Sequence, residues 1–166
     1  IGEVMAIGRN FEEAIQKACR MVNPSLNGLE GVGNINKEHS ALDDQLAIPS
    51  DTRLFAVAQA FESGYSVDKV HDITKIDRWF LSKCHRIAQM GIAGKKMSLG
   101  ELSEPVLRSM KCAGFADTQI AAMVSSSELV IRRRRISMGV TPVVKQIDTL
   151  AAEFPAQTNY LYMTYN

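Results

Sequence analysis

Cysteine is sparse in this chain: Cys19, Cys84 and Cys112 are the only three in 166 residues. Their odd number and wide spacing argue against a disulfide framework and fit reduced thiols packed in or near a core, in a cytosol-like compartment. An excess of one charge is also lacking, since 19 Lys plus Arg against 18 Asp plus Glu leave a formal net charge of +1. No overall field draws the chain to nucleic acid or anionic lipid, so any charged site is local. No apolar run approaches the roughly 20 residues that span a bilayer, and no basic-then-apolar signal segment opens the chain. Neither membrane anchoring nor export is expected. An initiator methionine is missing too, and Ile1-Gly2-Glu3-Val4-Met5-Ala6-Ile7-Gly8 reads as an apolar strand, as in a piece of a longer polypeptide. The chain is 46 % apolar, enough for a globular core.

Motifs that carry chemistry are equally scarce. His39, His71 and His85 fall on different elements with no Cys or carboxylate at ligand spacing, so a zinc site is not expected. No serine stands in a nucleophile-elbow context, and no cysteine has a base nearby in sequence. Gly2 and Gly8 flank an apolar stretch without the spacing of a phosphate-cradling loop. A lone acid such as Glu3 beside strand-like apolar residues is more often a hydrogen-bonded structural group than a ligand. No catalytic, cofactor-binding or metal-binding residue is therefore expected in this chain.

The chain does contain helical periodicity. Asn10 followed by Glu13 suggests a capping box, and Phe11, Ala14, Ile15, Ala18, Cys19 and Val22 recur at helical spacing, predicting a helix over 10–22 that ends at Asn23-Pro24. Residues 25–49, rich in Gly, Asn and Asp, read as a long surface connection with a short helical turn around Leu42 and Leu46. Ser50 is a candidate cap for a helix ended by Gly64, Ser66 and Asp68 start another, and Asp77 opens a third that stops at Gly91. Trp79 and Phe80, at the start of that third helix, are expected in the core. Residues 91–100 read as a flexible joint. Ser103-Glu104-Pro105 then opens a helix ended by Gly114, followed by helices over 117–124 and 128–138 about a turn of three serines. Beyond Pro142, Val143–Asp148 and Tyr160–Tyr165 have strand composition and are expected to pair with something outside the chain, with Tyr160 and Tyr162 on one face. The fold class predicted is mainly α: two small helical clusters, about 50–91 and 101–139, joined by loops, with short extended segments at both ends.

One stretch suggests a different class. Residues 114–138 have the outline of a helix-turn-helix whose second helix carries Arg132, Arg133, Arg134 and Arg135. Its start, Ser127-Glu128-Leu129, is a poor head for reading base edges. The arginines lie in the C-terminal half, where positive charge suits the helix dipole, so an exposed, charge-rich helix end is the simpler reading and nucleic-acid binding the alternative.

Several motifs, taken in order, carry a resemblance. Gly2–Arg9 with Phe11-Glu12-Glu13 and Gln16-Lys17-Ala18, Gly64–Asp68, Thr74–Leu81, Gly114–Ala121, Val144–Thr149, Ala151–Phe154 and Thr158–Tyr165 together resemble the middle of carbamoyl-phosphate synthetase large subunits. The resemblance implies a non-catalytic oligomerisation domain (10–142) between two ATP-grasp synthetase halves. Residues 1–9 would end the first half and 143–166 would lead into the second. It further implies a parent ligase that makes carbamoyl phosphate from bicarbonate, glutamine-derived ammonia and ATP, with Mg, for pyrimidine or arginine synthesis. The partners implied are the flanking halves, a glutaminase subunit or domain, and other copies of the chain, with no nucleic acid and no membrane. The tail looks closest to eukaryotic pyrimidine-pathway multienzymes. The parent is expected in the cytoplasm, or in mitochondria if of urea-cycle type, and the fragment alone is expected to be inactive.

Overall fold

The structure, a computed structural model, describes residues 3–23, 25–31 and 41–166. It is mainly helical, as the periodicity predicts. Helix α1 (Phe11–Val22) is capped by Asn10, whose side chain accepts from the Glu13 amide at 2.8 Å. The reciprocal half of the predicted capping box is shifted by one residue, because the Glu13 carboxylate accepts from the Arg9 amide. Helices α2 (Leu42–Ala47), α3 (Arg53–Glu62), α4 (Val67–Thr74) and α5 (Arg78–Gly94) form the first cluster. After a single 3-10 turn at Leu99–Glu101, α6 (Glu104–Cys112), α7 (Asp117–Met123) and α8 (Glu128–Ser137) form the second.

The punctuation follows side-chain chemistry. Ser66 accepts from the Lys69 amide and Asp77 from the Trp79 amide, which fixes the starts of α4 and α5. Gly114 stops α6 in the left-handed region at φ 88°, with the Phe115 amide bonded to the Met110 carbonyl in a Schellman closure. The predicted Ser50 cap is not made: its hydroxyl contacts Thr52, and α3 begins at Arg53 without a side-chain cap. Nor does α5 stop at Gly91, so the expected joint over 91–100 is largely helix. At Gly94 an added Cβ would lie 2.7 Å from the Met123 sulfur and 2.8 Å from the Met110 methyl. The glycine is there to let α5 approach the second cluster closely, and the helix continues through it.

Residues from both clusters share one apolar core, including Val57, Phe61, Leu81 and Ile87 from the first and Leu107, Phe115, Ile120 and Ile131 from the second. Each such side chain contributes about 1.5–3 kcal/mol by leaving water. The supposed surface connection also feeds this core, since Leu29 and Leu46 are buried. Its central part, with His39, lies outside the described residues. Trp79 and Phe80 correct another expectation: they are 53 % and 47 % exposed. Asp77 caps α5 so that both rings fall on its outer side, where they meet Phe11 with centroids 5.6 and 5.5 Å away.

Beyond α8, strands β1 (Val143–Gln146) and β2 (Leu161–Thr164) pair antiparallel, with Val143 opposite Thr164 and Gln146 opposite Leu161. The expectation that these segments need an external strand is thus corrected, because each satisfies the other. The opening segment forms no strand over the described residues 3–8. No described helix is long and apolar enough to cross a membrane.

Candidate functional site: a buried polar seam between incoming and outgoing segments

The apolar stripe read along α1 is not its most buried face. Val22 is 63 % exposed, while Glu12, Glu13 and Gln16 are buried to 2 % or less along with Cys19. Two carboxylates and an amide on the inner face of an amphipathic helix are costly unless each is partnered. No buried side-chain nitrogen or oxygen among the described residues lacks a hydrogen-bond partner.

Each partner comes from a different part of the chain. Gln16 donates to the Ala113 carbonyl at 2.8 Å and accepts from Gln119 at 3.1 Å, binding α1 to the turn between α6 and α7. Glu12 faces α5, with Arg86 at 3.1 Å and Lys83 at 3.7 Å. Glu13 faces the tail: it accepts from the Thr164 hydroxyl at 3.0 Å and the Asn166 amide at 3.2 Å. Burial alone would raise the Glu13 pKa, but bonds from Lys17, the Arg9 amide and Thr164 together hold it below its ordinary value.

Lys17 is the centre of the seam. Its ammonium lies 2.8 Å from the Glu13 carboxylate and donates to the Ile7 carbonyl at 2.8 Å and the Met163 carbonyl at 2.7 Å. One side chain therefore holds both the segment that enters α1 and the strand that leaves the molecule. The outgoing end is further fixed by the Cys112 thiol, which donates to the Tyr165 carbonyl at 3.1 Å, and by Asn166, which donates to the Cys112 carbonyl at 3.1 Å. A two-stranded ribbon is marginal alone, and these bonds dock it.

A second charged cluster lies alongside. Asp117 at the start of α7 is buried, and its carboxylate takes Lys111 at 2.8 Å and Arg135 at 2.9 Å. Burial favours the neutral acid, but the two cations outweigh it and hold Asp117 below its ordinary value. Lys111 also donates to the Phe115 carbonyl, and Arg135 to the Val140 carbonyl. The ring of Tyr165 lies 5.0 Å from the Lys111 ammonium and 5.5 Å from the Arg135 guanidinium.

This cluster corrects the reading of the four arginines as a uniformly solvated helix end. Arg135 is buried in the ion pair, and Arg134 donates to the carbonyls of Leu102 and Gly100; only Arg132 and Arg133 are exposed. The helix-turn-helix outline is present, but two of its four guanidinium groups are engaged within the fold, and nothing supports the nucleic-acid alternative.

The remaining sequence candidates stay apart from the seam. His71 bonds the Ile76 carbonyl, His85 stands edge-on to Phe61, and Glu3 is exposed. Among the described residues no group of three or more His, Cys, Asp or Glu side chains is arranged to hold a metal ion. Sequence reasoning missed Glu12, Glu13 and Gln16 because it assigned the inner face of α1 to apolar residues. The acid-acid-x-x-amide spacing beside Lys17 was the available signal.

Fold and seam together define a class: a mainly helical structural module whose internal polar contacts clamp its incoming and outgoing segments. Comparison with known proteins gives that class its family. Residues 3–139 match the family model for the carbamoyl-phosphate synthetase large chain, oligomerisation domain, and the chain belongs to that family. It is 50 % identical over 166 residues to multifunctional protein ura1 of Schizosaccharomyces pombe, covering 100 % of this chain and 7 % of that protein. It is 53 % identical over 170 residues to the carbamoyl phosphate synthase arginine-specific large chain of Eremothecium gossypii, covering 100 % of this chain and 15 % of the relative. Over 169 residues it is 46 % identical to the mitochondrial carbamoyl-phosphate synthase (ammonia) of Mus musculus, covering 100 % of this chain and 11 % of that protein. The chain thus spans between 7 and 15 % of the length of these curated relatives.

Proposed function

We propose that this module works as a bridge inside a carbamoyl-phosphate synthetase, holding two flanking ATP-grasp halves in register and contributing no catalytic group, cofactor ligand or metal ligand itself. The single observation that carries this reading is the Lys17 ammonium bonded at once to Ile7 of the incoming segment and Met163 of the outgoing strand. In this reading residues 1–9 belong to the end of the first half, 10–142 are the module, and 143–166 lead into the second half. The family match ends at Gly139, close to that second boundary, which supports the division.

The parent enzyme would use ATP and Mg to make carbamoyl phosphate from bicarbonate and ammonia, the latter supplied by a glutaminase subunit or domain. A reactive carbamate passing between two sites must avoid bulk water, and fixed placement of the halves serves that need. Self-association is part of the reading, as the family's description states for its members. The parent is placed in the cytoplasm for a pyrimidine multienzyme and in mitochondria for a urea-cycle type.

The test is Lys17→Met in the full parent large chain. ATP hydrolysis is expected to persist while carbamoyl phosphate formed per ATP falls, because chemistry within each half survives and transfer between them suffers. Equal losses in both, or neither, would sink the bridging role.

A further inference from the structure

A cleft of about 320 Å³ opens where α1, the turn between α6 and α7, α8 and β2 meet. Its walls carry the cations Lys17, Arg20, Lys111, Arg132 and Arg135. Against them stand three carboxylates, Glu13, Asp117 and Glu128. The internal pairings leave positive charge over. Lys17 answers Glu13 at 2.8 Å, Arg132 answers Glu128 at 3.1 Å, and the single charge of Asp117 is shared between Lys111 and Arg135.

Arg20 has no carboxylate within 4.0 Å among the described residues. Its guanidinium is half-buried and donates through one nitrogen to the carbonyls of Asn27 and Gly114. Burial pulls its pKa below the ordinary arginine value, the direction expected of a desolvated cation without a counter-ion. The local surplus is thus two positive charges, in a chain whose formal net charge is only +1.

We propose that this cleft binds a small oxyanion of the phosphate class, with Arg20 on the wall and Arg132 at the opening as its principal ligands. A doubly charged anion cancels the surplus, and guanidinium forks match phosphate oxygens in geometry as well as charge. Arg132, whose side chain is 51 % exposed, is free to swing from Glu128 toward such a ligand. The rim carboxylates set selectivity, since they discourage large or highly charged polyanions such as nucleic acid while compact ions fit between them.

Titration of the chain with inorganic phosphate and with pyrophosphate, followed by calorimetry and by amide NMR shifts against sodium chloride at matched ionic strength, tests the site. Saturable one-site binding with a dissociation constant on the order of 1 mM or tighter is expected, with shifts centred on Thr118, Glu128 and Arg132. Arg132→Gln is expected to weaken binding about tenfold with an unchanged helical circular dichroism spectrum. Arg20→Lys, which keeps the charge and loses the fork, is expected to weaken it less than Arg20→Gln. A response that never saturates, that chloride reproduces at equal ionic strength, that Arg132→Gln leaves undiminished, or that maps elsewhere overturns the proposal.

Discussion

Replacing Asp117 by Asn isolates the energetics of the buried seam. The carboxylate sits between Lys111 and Arg135, whose side chains are 7 % and 10 % exposed, and its own side chain is 6 % exposed. Asn keeps the shape but removes the charge, leaving two buried cations to face each other. Breaking a buried ion pair from one side costs about 3–5 kcal/mol. That is a large share of the roughly 5–15 kcal/mol by which a domain is stable. At about 2–4 °C per kcal/mol for a chain of this size, the melting midpoint should fall by about 6–20 °C. Circular dichroism at pH 7 measures it, with Glu104→Gln as the control, since the Glu104–Arg108 pair is solvent-facing and worth only about 0.2–1 kcal/mol. If Asp117→Asn costs no more than that control, the seam is not what holds α6, α7 and α8 together. The same carboxylate sets a pH dependence. Its folded pKa lies below the ordinary 3.8, so its stabilisation is complete above that value and is lost as pH falls through the folded one. Glu13, lowered from 4.5, acts in the same direction. Acid unfolding of the wild type should therefore be steep below about pH 4 and shallower in Asp117→Asn.

Two further predictions concern backbone and thiols. Gly114→Ala should destabilise by about 1–2 kcal/mol for the left-handed backbone and about 1–3 kcal/mol for overpacking, because the new methyl would lie 2.7 Å from the Glu13 Cα. Gly64→Ala, equally left-handed at φ 89° but with nothing within 4 Å, should show only the first part, so equal costs in urea titrations would refute the packing argument. Burial pushes the Cys84 thiol up to about 12 and the Cys19 thiol up to about 11, so a thiol reagent at pH 8 should titrate Cys112 alone in the native chain, and all three cysteines in denaturant.

Much of the fold is written in local signals. Asn10, Ser66, Asp77 and Ser103-Glu104-Pro105 mark helix starts, and Gly64, Gly114 and Gly139 mark ends, because caps and left-handed stops are short-range chemistry. What escaped were consequences of tertiary contact. Gly94 reads as a breaker until the methionines it admits are known, Trp79 and Phe80 read as core until the cap geometry rotates them outward, and β1 and β2 lie too far apart in sequence for their pairing to be read. The inner face of α1 was hidden for the same reason: Glu12, Glu13 and Gln16 look solvent-bound until residues from 83 to 166 arrive to satisfy them. Chain entry and exit meet at Lys17 only in three dimensions, so its role leaves no trace in periodicity.

Distance measurement between the incoming and outgoing segments tests the central claim most directly. Spin labels at Ala6→Cys and Leu161→Cys, in a Cys112→Ser background that leaves only the buried native thiols, report how firmly the two segments are held. The bridging account predicts one narrow distance distribution that broadens markedly when Lys17→Met is added while the helical content is unchanged. A distribution already broad with Lys17 in place, or one equally narrow without it, would contradict the account.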